Sequence, residues 1–289
     1  FGFIYVGSDD GLVHVTENGG GNWTKISDSF PKELWVSRVI ASSHKKERVY
    51  VALNGYRNDD FKPYLFVSDD KGKIWKSISN NLPNFPINVI KEDPTNEKLL
   101  YVGNDNGVFV SMDGGNSWQE FQQNLPKVAV HDLVIQKEAK DLVIGTHGRS
   151  IYKAHIAPLQ QFEQIKNKAF HIFDLAEVRH AKSWGSSWSK WLAPFEPNLT
   201  ISFYVAKEGT YNLVVKSEDG IDLNTVEVKA DAGFNETSFN LTYSDTGKAA
   251  YLKKHKDAII TNAKNGKYYL IKGKYKLEVD KATQSFEVK

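Results

Sequence analysis

One eight-residue pattern occurs three times in this chain, and it contains the residue types of a carboxylate site. The pattern is Ser/Thr-x-Asp/Asn-x-Gly-x-x-Trp, and its copies are TENGGGNW at 16–23, SDDKGKIW at 68–75 and SMDGGNSW at 111–118. An Asp carboxylate such as that of Asp113 could act as a general acid or base. The first copy, however, has Asn18 at the acid position. Because an amide cannot replace a catalytic carboxylate, this variation favours a structural role for the pattern.

The short side chains of the pattern suit a turn between two β-strands. Ser, Thr, Asp and Asn accept hydrogen bonds from nearby backbone N–H groups, and Gly tolerates a positive φ angle. The Trp that ends each copy is expected to pack between neighbouring repeats and bury a large apolar area. The residues assigned this structural role are Thr16, Asn18, Gly20, Trp23, Ser68, Asp70, Gly72, Trp75, Ser111, Asp113, Gly115 and Trp118.

The pattern belongs to a longer repeat of four short strands. Alternating apolar residues precede each copy, a short strand follows it, and related segments recur at 4–11, 49–56, 100–107 and 142–149. Four antiparallel strands in each repeat predict an all-β fold of the β-propeller type. Residues 1–155 hold two complete units, a first unit without its first strand and a last unit without a clear fourth strand, which is under four blades. We therefore expect upstream blades or a partner chain to complete the propeller.

The repeated pattern resembles the Asp-box, also called the BNR repeat, of sialidases, xyloglucanase-like glycoside hydrolases and the sortilin family of receptors. The wider run from WVSRVIASSHKKERVYVALNGYRNDDFKPYLFVSDDKGKIW to HDLVIQKEAKDLVIGTHGRSIY is similar to large secreted bacterial propellers labelled sortilin-like or glycosyl-hydrolase-like. The resemblance covers residues 1 to about 160. It implies a propeller that is secreted or at the cell surface, but it implies no reaction, since function depends on sites rather than folds.

Candidate binding residues are expected on the face opposite the Asp-box turns, where the turns between the second and third strands meet the starts of the first strands. Aligning VSRVI, PINVI and HDLVI places Arg38, Asn88 and Leu133 at equivalent positions of the innermost strands, with Asp132 on the other side of its strand. The insertion at 54–63 is the most unusual part of this face, and such loops on rigid scaffolds often carry function. The predicted binding residues are Arg38, Arg57, Asp59, Asp60, Asp105, His147 and Arg149.

A glycosidase at this face would need two carboxylates about 5–9 Å apart, one of them with a raised pKa. The weak candidates for such a pair are Asp60, Asp105 and Asp132, which could equally be turn formers and surface acids. A sialidase would need an arginine cluster, and the few arginines of this chain do not match one. The histidines have no metal-ligand spacing, so neither a metal site nor a cofactor is predicted.

Bulk composition excludes several classes of protein. The chain has 289 residues, a formal net charge of +2 and no cysteine. A disulfide framework, a thiol nucleophile and a zinc–thiolate site are therefore excluded, and the net charge does not favour nucleic acid as a partner. No apolar run has the length of a membrane span. Since the chain begins FGFIYVGS without Met, we expect a processed chain or the C-terminal part of a longer one.

The second half predicts two further regions. Residues 156–195 form a predicted linker with a helix at 158–168 and a Ser-rich stretch with Trp184, Trp188 and Trp191, which could stack on sugar rings or fill a domain interface. Residues 196–289 have seven short alternating segments with turn signals between them, which predicts an Ig-like β-sandwich. The segments are LTISFYV, TYNLVVKS, NTVEVKA, ETSFNLTY, KYYLI, KYKLEVD and SFEVK, and the turn signals are EDG, DAG, SDTG and KNG. These segments resemble the Ig-like modules that end many secreted bacterial proteins.

Three functions are consistent with these features. The first is an extracellular binding or scaffold protein for peptide, protein or glycan. The second is a glycoside hydrolase acting on a polysaccharide, and the third is a structural subunit of a surface assembly, as the incomplete propeller would allow. The carboxylates at the inner strands distinguish the first two, because hydrolysis requires a pair of them in glycosidase geometry.

Overall fold

A computed structural model describes residues 2–121 and 124–289 of the chain. It divides the chain into two compact units, Phe1–Phe162 and Glu163–Lys289. The predicted boundaries differ from this division, because residues 163–195, expected in a linker, belong to the second unit. The two units are described separately below.

The first unit consists of four antiparallel sheets that follow one another along the chain. They are named blades 1 to 4, with strand orders β1-β2-β3, β4-β5-β6-β7, β8-β9-β10-β11 and β12-β13-β14. The strands are β1 Ile4–Gly7, β2 Val13–Thr16, β3 Thr24–Lys25, β4 Trp35–Ala41, β5 Val49–Gly55, β6 Asp60–Ser68, β7 Lys76–Ser77, β8 Ile87–Glu92, β9 Leu100–Asn104, β10 Gly107–Ser111, β11 Gln119–Glu120, β12 Val130–Gln136, β13 Asp141–Thr146 and β14 Ile151–His155.

The predicted partial propeller is confirmed. Within residues 2–121 and 124–162, blades 2 and 3 have four strands, blade 1 has no innermost strand and blade 4 has no outermost one. Consecutive blades pack through apolar faces. Val51 and Leu53 of β5 belong to one buried cluster with Val13 of blade 1, and Tyr50 belongs to another with Val102 of blade 3. Strands β5 and β9 are buried on both faces, which explains the continuous apolar runs VYVAL and LLYV in place of strict alternation.

The second unit is a sandwich of two antiparallel sheets, with orders β15-β16-β19 and β18-β17-β20-β21. Its strands are β15 Phe170–Ile172, β16 Leu199–Val205, β17 Gly209–Ser217, β18 Asp222–Ala230, β19 Gly233–Phe239, β20 Gly273–Val279 and β21 Ala282–Val288. Inward-facing residues of both sheets, such as Phe203 and Leu277, form one apolar core. Alternation of buried and exposed positions along each strand produces this arrangement.

Two sequence expectations for the second unit are wrong in detail. The KYYLI segment contributes only a single bridge, Tyr269 to Thr242, and the seventh strand is instead β15. SDTG, read from sequence as a turn, begins helix α3 (Asp245–Lys254), because Ser244 caps it by accepting a hydrogen bond from Gly247 N–H. Ser followed by Asp is a preferred start of a helix as well as a turn.

The helix predicted at 158–168 is two short helices, α1 (Ala157–Gln160) and α2 (Phe162–Ile165). Pro158 lies in the first turn of α1, where its missing N–H has no intrahelical partner to lose. Leu159 and Ile165 are buried.

Candidate functional site

All three Asp-box turns have the same hydrogen bonds. In the third box, Ser111 Oγ accepts from Gly115 N–H at 2.8 Å, and Asp113 Oδ1 accepts from Ser117 N–H at 2.9 Å. The equivalent distances in the second box are 2.8 and 2.9 Å, and both are 2.9 Å in the first, where Asn18 supplies the amide oxygen. The Asp carboxylate is therefore occupied by its own turn, and an amide serves equally well.

The Trp of a box contacts the preceding blade. Trp118 donates its Nε1–H to Ile78 O at 2.7 Å, and Trp75 donates to Ile26 O at the same distance. Both acceptors directly follow the outermost strand of the preceding blade. The boxes thus join blade to blade at one end of the strands, and the predicted binding residues lie at the other end.

At that other end, each innermost strand has a β-bulge that the sequence alignment missed. The register shifts at Val36/Arg38 in β4, at Ile87/Val89 in β8 and at Val130/Asp132 in β12. The structural equivalents are therefore Arg38, Val89 and Asp132, which pair with Ala52, Gly103 and Gly145 of the neighbouring strands. The expectation that Arg38, Asn88 and Leu133 are equivalent was wrong by one residue, because a bulge changes the side that each following residue faces.

Because of the bulges, Arg38 and Asp132 lie on the same side of their strands. Arg38 Nη2 lies 2.9 Å from Asp132 Oδ1 and 3.4 Å from His131 O. The two strands belong to blades 2 and 4, so the Arg38 side chain reaches past blade 3. The rings of His131 and His147 lie 5.3 Å apart beside the pair. We call Arg38, His131, Asp132 and His147 the inner-strand cluster.

The inner-strand cluster is open to solvent. His131, Asp132 and His147 are exposed, and the Arg38 side chain is 35% exposed. Arg38 Nε is buried without a hydrogen-bond partner in the described part of the chain. The cluster therefore presents a cation, a carboxylate and two imidazoles together at the surface.

A chain of amides lies next to the cluster. Asn54 Nδ2 donates to Asn88 Oδ1 at 3.0 Å, and Asn88 Nδ2 donates to Asp105 Oδ1 at 2.8 Å. These amides link strand β5 of blade 2 to the inner strand and the β9–β10 turn of blade 3. Sequence reasoning selected Asp105 but missed Asn54 and Asn88, and the available signal was their position on strand β5 and on the bulged strand β8.

The insertion of blade 2 lengthens the β5–β6 hairpin. A 3-10 turn, Tyr56–Asn58, lies at its tip, and Asp59 follows with φ 55°. Arg57 Nη1 pairs with Asp9 at 2.7 Å and its guanidinium lies 4.5 Å from the Trp35 ring. Arg57 thus joins the tips of blades 1 and 2 through its Nη1 atom, and its side chain is 62% exposed.

The predicted carboxylates do not have the surroundings of a general acid. A hydrogen bond from Tyr64 OH, 2.7 Å away, lowers the pKa of Asp60, and another from Lys62 N–H acts in the same direction. Asp132 is ion-paired with Arg38, and Asp105 accepts from Asn88. A proton donor for hydrolysis requires the opposite shift, produced by an apolar or like-charged environment.

The remaining predicted residues are dispersed. Asp59 and Arg149 are exposed on the hairpin tips of blades 2 and 4. Residues 2–121 and 124–289 contain no group of three or more His, Asp or Glu side chains that could hold a metal ion. Within the same ranges no helix is long and apolar enough to cross a membrane.

The three tryptophans of the second unit have different environments. Trp184 is 5% exposed in the sandwich core, where it lies 5.7 Å from the Tyr269 ring. Trp188 and Trp191 are 97% and 84% exposed. Trp184 therefore packs in a core, whereas Trp188 and Trp191 lie at the surface, where stacking on sugar rings stays a prediction.

The blades and their turns define an Asp-box propeller, and a comparison with protein-family models identifies the family. The model described as Sortilin, neurotensin receptor 3 (Sortilin-Vps10) matches residues 63–274. The chain belongs to the Sortilin-Vps10 family. The match continues from blade 2 into the second unit, beyond the range of the resemblance found by motif.

Comparison with solved structures returns propeller proteins at low identity. A GH74 xyloglucanase from Xanthomonas campestris has 12% identity and a TM-score of 0.43, with 99% of this chain and 45% of that chain covered. YCF48 bound to D1 peptide has 10% identity and a TM-score of 0.38, with 98% and 78% covered. This chain thus spans less than half the length of the xyloglucanase. None of the curated proteins matches it.

Proposed function

We propose that this chain is part of a secreted or cell-surface propeller, of bacterial type, that binds peptide, protein or glycan at the inner-strand cluster. The observation that carries the proposal is the convergence of Arg38 and Asp132 across blade 3, beside His131 and His147. These groups are polar, partly exposed and held on strands, as a ligand-orienting site requires. The family description names a receptor, which supports a binding role.

The surroundings of the acidic residues Asp60 and Asp132 favour binding over hydrolysis. Asp60 has a lowered pKa, and Asp132 already balances the charge of Arg38. An acidic or zwitterionic ligand group could replace Asp132 as the partner of Arg38, since guanidinium and carboxylate form paired hydrogen bonds. The imidazoles of His131 and His147 beside Arg38 add hydrogen-bond donors and acceptors for the polar backbone of a ligand.

Ligand screening with a matched variant tests the proposal. The chain is screened against a peptide library and a glycan array, and the Kd of each hit is measured by calorimetry for wild type, Arg38→Ala and Lys45→Ala. Lys45 is a half-exposed, ion-paired cation in the turn between the first two strands of blade 2, at the Asp-box end. We expect about tenfold or greater weakening for Arg38→Ala and none for Lys45→Ala. Equal effects of both variants, or cleavage of a bound glycan, would contradict the proposal.

We further propose that additional blades, in an upstream segment or a partner chain, cover the open faces of blades 1 and 4. Trp23 is 44% exposed, although Trp75 and Trp118 at the same position contact a preceding blade. On blade 4, Val134 and Ile151 are exposed. A missing neighbour explains each of these exposed apolar side chains.

Hydroxyl-radical footprinting tests this second proposal. Trp23 should be oxidised rapidly in the 289-residue chain and protected in the protein isolated from its source, whereas Trp118 should be protected in both. Equal oxidation of Trp23 in the two samples would show that no neighbouring blade covers it.

We propose that the second unit is an Ig-like domain that acts as a spacer or pairing module. Its first, second and fifth strands form one sheet and the other four strands form the second sheet. This division, with an apolar core between the sheets, supports assignment to the Ig-like sandwiches.

A further inference from the structure

An exposed aromatic loop in the second unit has no role in the binding site described above. Ser186 and Phe195 pair through two backbone hydrogen bonds, from Gly185 N–H to Phe195 O at 2.7 Å and from Phe195 N–H to Ser186 O at 2.8 Å. The intervening residues form a closed loop, which we call the tryptophan loop (186–195). Its exposed large apolar side chains are Trp188, Trp191, Leu192 and Phe195, at 97%, 84%, 61% and 56% exposure.

The base of the tryptophan loop is held firmly. Trp184, two residues before it, is buried in the sandwich core, and its ring lies 4.7 Å from His180 and 5.7 Å from Tyr269. Gly185 has φ 74°, and a side chain there would collide with Asn265 and Ala263. The loop is therefore fixed against the turn at 263–267, while its apolar tip projects into solvent.

The charged side chains within residues 178–195 are all basic. No Asp or Glu occurs between Val178 and Phe195, whereas this segment contains Arg179, Lys182 and Lys190. The nearest acids along the chain, Glu177 and Glu196, are paired with Lys289 and Lys267. The turn against Gly185 adds the exposed Lys264. The basic surroundings are local, since the net charge of the chain is only +2.

We infer that the tryptophan loop is a peripheral docking element for an anionic lipid surface. Trp side chains suit the boundary between hydrocarbon and water, and Leu192 supplies an aliphatic group that a membrane buries and that a sugar ring does not require. Exposed cations around an apolar tip add attraction to anionic headgroups. Lys190 Nζ, 5.1 Å from the Trp191 ring, can remain at headgroup level while the ring inserts. The inference is independent of ligand binding at the inner-strand cluster.

Vesicle sedimentation with the full 289-residue chain tests this inference. The probes are phosphatidylcholine vesicles with and without phosphatidylglycerol, and the variants are Trp188→Ala/Trp191→Ala/Leu192→Ala together and Trp23→Ala as an exposed-aromatic control. We expect binding to the anionic vesicles, weakening as salt is added, and about a tenfold or greater loss in the triple variant. Because all three side chains are exposed, circular dichroism should show both variants folded.

Two results would overturn the inference. One is the absence of sedimentation with anionic vesicles, or sedimentation that the triple variant retains. The other is loop-dependent binding to an acidic polysaccharide with no affinity for vesicles, which would identify the loop as a glycan site instead.

Discussion

The first and third Asp-boxes contain the same turn in different surroundings. Both have a hydroxyl oxygen that accepts from the Gly N–H and an Asx oxygen that accepts from the N–H four residues later, at 2.8–2.9 Å. Trp118 of the third box is 4% exposed and bonded to Ile78, whereas Trp23 of the first is 44% exposed. A side chain on Gly115 would touch Ile78, and one on Gly20 would touch nothing.

This difference separates two functions of one motif. The hydroxyl, Asx and Gly residues fold the turn by contacts within eight residues, so they work in any blade. The Trp residue joins blades and needs a neighbour to do so. The two boxes therefore act as an internal control, in which one motif is compared with and without its tertiary partner.

Removing the Trp should give the largest contrast. Trp118→Ala is expected to destabilise the first unit by about 3–5 kcal/mol, since it empties a buried site between blades 2 and 3. Trp23→Ala in the same chain should cost under about 1 kcal/mol, because much of this ring is already in water. Urea denaturation of the two variants measures the contrast. Similar losses would mean that Trp23 has a partner in solution.

Removing the hydroxyl should have a smaller effect. Ser111→Ala leaves the N–H of the buried Gly115 without its acceptor, with an expected cost of about 1–3 kcal/mol. Thr16→Ala should cost less, about 0.5–1 kcal/mol, because the exposed Gly20 N–H can bond to water. Thermal unfolding monitored by circular dichroism gives both values. If Thr16→Ala were the more damaging change, burial would not control the strength of the turn.

The smallest expected effect is on the pH dependence of stability. Burial acts to raise the pKa of Asp113, but hydrogen bonds from the Ser117 side chain and backbone outweigh it, so this pKa is lowered. A lowered pKa stabilises the fold above the unfolded value of about 3.9, and this contribution is lost as pH falls through the folded value. Asp113→Asn, which copies the first box, should therefore make stability less sensitive to pH below about 4.

The converse substitution is the control. Asn18→Asp should introduce a new acid-dependent contribution at the first box, visible as a steeper fall in Tm between about pH 4 and 2. Unchanged acid profiles in both variants would show that the carboxylate charge contributes nothing beyond the amide oxygen.

Much of the blade architecture was predictable because its signals are local. The repeated turns, the alternating strands and the missing strands at both ends follow from residues close together in sequence. Helix α3 was missed because Ser244 and Asp245 suit a turn and a helix start equally, and the packing of Gly247 against Leu223 is a tertiary contact.

The candidate site was predicted less well. Arg38 and Asp132 were selected separately. The one-residue bulges that place them on the same side of their strands cannot be recognised from the spacing of apolar residues in the sequence. Arg57 was selected as a ligand-binding residue, and its pairing with Asp9 and contact with Trp35 depend on how two hairpin tips meet.

The sequence by itself determined the Asp-box turns and the four-strand repeat, because each depends on short-range hydrogen bonding and periodicity. Only the tertiary structure decided which Trp is buried, which polar side chains converge and which loop is exposed. Those properties depend on strand register and on neighbours distant in the chain. SMDGGNSW and TENGGGNW therefore fold alike, yet only the former completes an interface in this chain.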